Sequence, residues 1–201
     1  MTNQIWSNGT RAGLCGLFVW LAACGEQGAR DADAGIADSA PATASPPGDS
    51  AAEVRAVVRD ASGRDLGVLT LHDDGTGISI TGRLQGLPPG MHGFHIHEAG
   101  RCEPPFESAG GHWNPTNRQH GRENPNGPHL GDLPNITVAA DSSAVLQVVA
   151  SGGTLRGADA LLDGDGAAVV IHAGADDDRT DPSGNSGGRI ACGVITAAPP
   201  G

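Results

Sequence analysis

Six of the eight histidines in the chain fall within residues 92–132, HGFHIHEAGRCEPPFESAGGHWNPTNRQHGRENPNGPHLGD, together with Cys102 and Asp132. Imidazole is the commonest metal-ligating side chain, so this density points to metal chemistry. His95 and His97 stand two apart in FHIH, and strand alternation puts both rings on one face of a sheet. His112, His120, His129 and Asp132 follow at offsets of 15, 8, 9 and 3, in a segment rich in Gly, Pro and Asn that reads as a long loop. A surface polyhistidine tract would be contiguous, whereas ligands spread in this way need a fold that gathers them.

The elements that must do the gathering are strands. Alternating or β-branched runs occur at 53–60, 66–72, 77–84 and 92–98 before the loop, and at 135–140, 144–150, 167–172 and 190–196 after it. Asp60-Ala-Ser-Gly63, Asp73-Asp-Gly75 and Leu87-Pro-Pro-Gly90 supply turns between the early strands. Eight strands without an amphipathic helix predict an all-β fold, an eight-stranded Greek-key sandwich or flattened barrel. Two long polar connections, 98–132 and 173–189, interrupt it, and function is expected there. His172 ends the strand before the second connection, where it can join the cluster from across the sheet.

The formal charge of -11 disfavours nucleic acid and anionic lipid surfaces as partners, because both repel an acidic protein. With no Tyr and only six aromatic residues, the core must come from Val, Ile, Leu and Ala. Arg11 precedes an apolar run too short to span a bilayer, and residues 1–23 read as a signal peptide. Leu21-Ala-Ala-Cys24 resembles a lipoprotein box, so Cys24 is expected to carry lipid and to be the only membrane contact, with the protein exported to the periplasm. Residues 24–52 are a tether of Ala, Asp, Ser, Pro and Gly that cannot bury enough surface to offset ordering entropy, and 53–201 form the domain. Once Cys15 leaves with the signal and Cys24 is lipidated, Cys102 and Cys192 remain, and in an oxidising compartment they are expected to pair. In the chain-entropy picture a loop of that length stabilises by at most ~4–5 kcal/mol.

Four blocks, GFHIHE (93–98), SAGGHWNP (108–115), GPHLGDLPN (127–135) and GNSGGRIACGVI (184–195), resemble the signatures of the copper/zinc superoxide dismutases, in the same order and over essentially 53–196. The SAGGH form and the lipobox resemble the bacterial periplasmic branch. The resemblance implies copper ligands His95, His97, His112 and His172, zinc ligands His112, His120, His129 and Asp132, and a carboxylate at Asp176 that links a copper-ligand ring to a zinc-ligand ring. It implies an active-site arginine at Arg189, with His112 bridging the metals and delivering a proton. The implied reaction is dismutation of superoxide to dioxygen and hydrogen peroxide by a redox-cycling copper beside a structural zinc. An all-imidazole set suits Cu(II), and three nitrogens with one carboxylate suit a closed zinc site. His72 and His92 match no ligand position and read as structural. A periplasmic copper/zinc buffer or copper-delivery protein on the same fold is the alternative; it would need the ligands but not Arg189, so the full set favours the enzyme. The resemblance is compatible with a monomer or a homodimer.

Overall fold

The computed structural model describes residues 54–157 and 160–197. The signal peptide at 1–23, the lipidation site Cys24 and the tether to residue 52 lie outside the described residues. Among those described, nine strands form and no α-helix does: β1 Val54–Asp60, β2 Asp65–Asp73, β3 Gly77–Gln85, β4 Gly90–His92, β5 Phe94–His97, β6 Ile136–Val138, β7 Ser143–Ser151, β8 Ala167–His172 and β9 Arg189–Ala197. One 3-10 turn, Glu107–Ala109, completes the regular structure.

Seven strands make one antiparallel sheet in the order β5-β8-β9-β1-β2-β3-β7, and β4 pairs with β6 as a separate ribbon. The ribbon joins the two edges of the sheet through the chain itself. β4 runs into edge strand β5 through Gly93, and β6 runs into edge strand β7 through a turn in which Ala139 N donates to Ser143 O at 2.8 Å. Ile136 and Val138 of the ribbon share one buried core with Leu69, Ile80, Leu84, Phe94 and Ile96. The result is the predicted all-β sandwich or flattened barrel. Each fully buried Leu or Ile contributes about 1.5–3 kcal/mol relative to exposure.

Alternation sets the inward face. In β1, Val54, Ala56 and Val58 are buried while Arg55, Val57 and Arg59 are exposed. Side chains of Asp60, Asp74 and Asp141 close the tight turns by accepting backbone N–H groups; Asp60 Oδ1, for example, takes Ser62 N at 2.9 Å and Arg64 N at 3.1 Å. β5 and β8 differ from the rest in being buried on both faces. One face belongs to the core, and the other lies beneath the two long connections.

The stretch 92–98, predicted as one strand, is two. Gly93 N donates to Gly174 O at 2.8 Å and Gly93 O accepts from His172 N at 2.9 Å, so the chain changes its ladder partner from β6 to β8 at that residue. Beneath the start of the first long loop sits a smaller cluster of Phe106, Ala109, Ala168, Val170 and Cys192, with Cys102 packed against it. Cys102 and Cys192 are disulfide-bonded with a Cα–Cα distance of 5.6 Å, which fastens that loop to β9.

Candidate metal centre

Strand β5 alternates Phe94 and Ile96 into the core with His95 and His97 on the opposite face, and both histidines are fully buried. As an edge strand it would leave a row of unpaired backbone groups. The long loop covers them: Ile96 N donates to Gly131 O at 2.9 Å, Trp113 N to Ile96 O at 2.9 Å and Glu98 N to Gly111 O at 3.0 Å. This pairing sets His112 opposite His97 and Asp132 opposite His95. The approach at residue 131 requires glycine, because a Cβ there would collide with the carbonyl oxygen of Ile96. A loop of few apolar residues is thus ordered by backbone bonds to the strand that already carries two of the histidines.

His95, His97, His112 and His172 each offer one ring nitrogen within 4.8 Å of the others. His95 Nδ1 and the Nε2 atoms of His97, His112 and His172 are buried and have no hydrogen-bond partner. An unsatisfied buried polar atom costs about 1–3 kcal/mol, and four of them converging on one point are a site that fits a cation. The opposite nitrogens fix the tautomers. His97 Nδ1 donates to Gly110 O at 2.9 Å and His172 Nδ1 to Gly187 O at 3.1 Å, which leaves the Nε2 lone pairs free to ligate.

The second group is His112, His120, His129 and Asp132, again all buried. Asp132 Oδ1 lies 2.8 Å from His112 Nδ1, 3.0 Å from His120 Nδ1 and 3.1 Å from His129 Nδ1. Its other oxygen accepts Gly121 N at 2.9 Å and His129 N at 3.0 Å, so the carboxylate cannot rotate away. Three imidazoles and one carboxylate gathered in this way are the ligand set of a closed zinc site. His112 belongs to both groups, with Nε2 aimed at the first and Nδ1 at the second.

A cavity of about 580 Å³ leads to the first group and is lined by His112, His172, Glu98, Glu107 and Arg189 among others. Arg189 is anchored in its wall: Nη1 donates to Phe106 O at 2.6 Å and Nη2 to Gly110 O at 2.7 Å. The β-bulge between Ile171 and His172 pairs His172 with Arg189, so the last histidine of the group and the cavity arginine are cross-strand neighbours.

The family of copper/zinc superoxide dismutases (SODC) matches residues 66–195. The chain belongs to that family. Its relatives include a Cu-Zn superoxide dismutase of Aquifex aeolicus, 45% identical over 137 residues, covering 66% of this chain and 80% of that one. One of Caulobacter vibrioides is 43% identical over 145 residues, covering 70% and 83%. Among solved structures, a superoxide dismutase-like protein from Bacillus subtilis superposes with a TM-score of 0.68 at 42% identity, covering 71% of this chain and 97% of that one.

In this superoxide dismutase family member a third buried group joins the other two. Asp176 Oδ2 lies 2.6 Å from His95 Nε2, and its Oδ1 lies 3.1 Å from His120 Nε2. Asp176 is held in turn by Asn135, whose Nδ2 donates to Asp176 O and whose Oδ1 accepts Asp176 N, both at 2.8 Å. Asn135 stands at the end of a recognised block, but only the fold reveals its role. Of the two leftover histidines, His92 makes structural contacts. His92 is buried with Nδ1 2.7 Å from His172 O and Nε2 2.9 Å from Pro88 O, and His72 is exposed on β2.

Burial sets the protonation of the first group. It pulls His95 down to about 3 despite Asp176, His97 to about 2 and His172 to about 4, and it lowers His112 as well. Four neutral imidazoles are therefore ready to ligate at neutral pH. His120 goes the other way: burial opposes its charge, but hydrogen bonds to Asp132 and Asp176 outweigh that and raise it to about 9. Burial likewise pushes Asp132 and Asp176 up, and the histidines around them win, holding both carboxyls well below the usual range.

Proposed function

We propose that the two groups act together as the dinuclear centre of a superoxide dismutase, which converts superoxide to dioxygen and hydrogen peroxide. His95, His97, His112 and His172 would hold copper; His112, His120, His129 and Asp132 would hold zinc. The observation that carries this assignment is the set of four buried ring nitrogens without partners, one of them on a histidine whose second nitrogen belongs to the neighbouring group. When bound, copper would supply a reversible one-electron couple and zinc a fixed positive charge beside it.

The chain's own residues supply the rest. Carbonyl acceptors at Gly110 and Gly187 keep His97 and His172 in one tautomer and orientation. His112 lines the cavity, and its Nε2 is the atom at which a proton can be held and passed to the reduced substrate. Arg189 attracts the anion along the cavity wall, and its two carbonyl anchors keep the guanidinium in place. The short backbone-paired loop segments over β5 restrict access to the cavity side.

Export, lipidation at Cys24 and a periplasmic location are part of the same proposal, supported by the apolar run and Leu21-Ala-Ala-Cys24. Superoxide consumption by protein loaded with copper and zinc, set against the same protein loaded with zinc alone, tests the activity. Consumption at the background rate in the fully loaded protein would overturn it. Palmitate labelling of wild type against Cys24→Ala tests the anchor.

A further inference from the structure

Two ion pairs join the loop that carries His120 to the loop that carries Asp176. Arg122 Nε and Nη2 donate to Asp178 Oδ1 and Oδ2 at 2.8 and 2.7 Å, and Arg179 Nε and Nη2 donate to Glu123 Oε2 at 2.9 and 2.5 Å. Beneath these pairs the two backbones touch. Glu123 N donates to Asp178 O at 3.0 Å, and Gly121, at φ +108, has no room for a Cβ against that same carbonyl. His120 N donates to Asp181 Oδ1 at 2.6 Å.

The signs of these charges carry information that the backbone bonds lack. Residues 122 and 123 read plus, minus, and face residues 178 and 179, which read minus, plus. A slip of one residue in one direction sets Arg122 against Arg179; a slip in the other sets Glu123 against Asp178. Every peptide offers the same N–H and C=O, so backbone hydrogen bonds alone do not choose the register; the close fit of Gly121 against Asp178 O and the charges both favour the one observed.

We propose that Arg122, Glu123, Asp178 and Arg179 are positioning residues that lock the two loops in register around His120 and Asp176, and so set how slowly zinc leaves. The inference rests on the reading of His112, His120, His129 and Asp132 as the zinc set. Arg122–Asp178, with side chains 38% and 15% exposed, is the tighter half; Arg179–Glu123, at 70% and 57%, is the more screened.

The test is the rate of zinc release from the intact zinc-loaded protein into excess chelator. Reversing one member of an exposed pair is expected to speed release about two- to fivefold, the range that such pairs reach. Glu123→Arg and Arg179→Glu should each do so, and the double variant, which restores opposite signs, should return to within about twofold of wild type. Wild-type release should quicken with added salt, and Glu123→Gln/Arg179→Gln should respond less. Single variants that release at the wild-type rate, or a double variant that is additive rather than restored, would overturn the lock. A wild type that takes up no zinc would overturn the ligand assignment instead. Circular dichroism on each variant separates a lost lock from a lost fold.

Discussion

His97 and Arg189 share one acceptor: the carbonyl oxygen of Gly110 takes His97 Nδ1 at 2.9 Å and Arg189 Nη2 at 2.7 Å. One peptide thus fixes both a ring of the all-histidine group and the cation of the cavity wall. Arg189 also holds Phe106 O, and Phe106 packs in the small cluster that contains the Cys102–Cys192 disulfide. Movement of residues 102–110 therefore reaches His97 and Arg189 together.

That linkage makes the disulfide a test of the whole arrangement. Cys102→Ser removes a cross-link closing a separation of 90 residues, and at most ~4–5 kcal/mol of stability goes with it. The expected result is a lower melting temperature together with weaker copper retention, since metal binding and folding share free energy. Calorimetry and metal analysis of the variant read both; a lower melting point with unchanged copper retention would show that residues 102–110 hold their place without the bridge.

His97→Ala should remove copper and activity while leaving zinc and the fold. His97 is a member of the all-histidine group only, and its backbone pairing with β8 does not depend on the ring. Metal analysis should find about one zinc and little copper, because copper loses one ligand of four while the zinc set keeps all of its own. Loss of both metals together would refute the division of labour between the groups.

Part of this was legible in the chain. The period of FHIH fixes the common face of His95 and His97 without any knowledge of the fold, and the strand ending at His172 points that ring back toward them. The split at Gly93 was not legible, since a change of ladder partner depends on pairings 44 residues away (His92 with Ile136) and 77 residues away (Phe94 with Ile171) and leaves the local pattern unbroken. The run Asp176-Asp177-Asp178 shows the limit well. Three identical side chains have three fates: Asp176 is buried between His95 and His120, Asp177 closes its own turn by accepting Thr180 N and Oγ1, and Asp178 pairs with Arg122. Only the arrangement of the two loops separates them.

Asn135→Ala should weaken metal binding although Asn135 touches no ligand. It removes both bonds that fix the Asp176 backbone, and Asp176 orients His95 and His120. Groups that orient metal ligands typically change affinity or activity by about 10- to 100-fold when lost, and an effect toward the lower end is expected, since Asp178 N still donates to Asp176 Oδ1. Competition with a zinc chelator measures it. Asp176→Asn, which keeps the volume but not the charge, should fall further, and an Asn135→Ala affinity equal to wild type would make Asn135 a bystander.

Arg189 is expected to act through its field rather than as a ligand, so its variants should separate from those of the histidines. The sequence of the domain is acidic: from residue 54 onward it has 17 Asp and Glu against 10 Arg, a formal -7, and Glu98 and Glu107 line the same cavity as Arg189. An anionic substrate is then drawn in only by a local positive field, with distant acids screened beyond roughly 8 Å at physiological salt. Arg189→Ala should keep both metals and lower the second-order rate about tenfold, and Arg189→Glu should lower it more, because steering changes association by roughly 10- to 1000-fold. Salt gives the sharper discrimination. Wild type should slow as ionic strength rises even though the net charge repels superoxide, and the alanine variant should respond less. An alanine variant with the wild-type rate and the wild-type salt slope would leave Arg189 only its two carbonyl bonds, as a strut between β9 and the loop at 106–110.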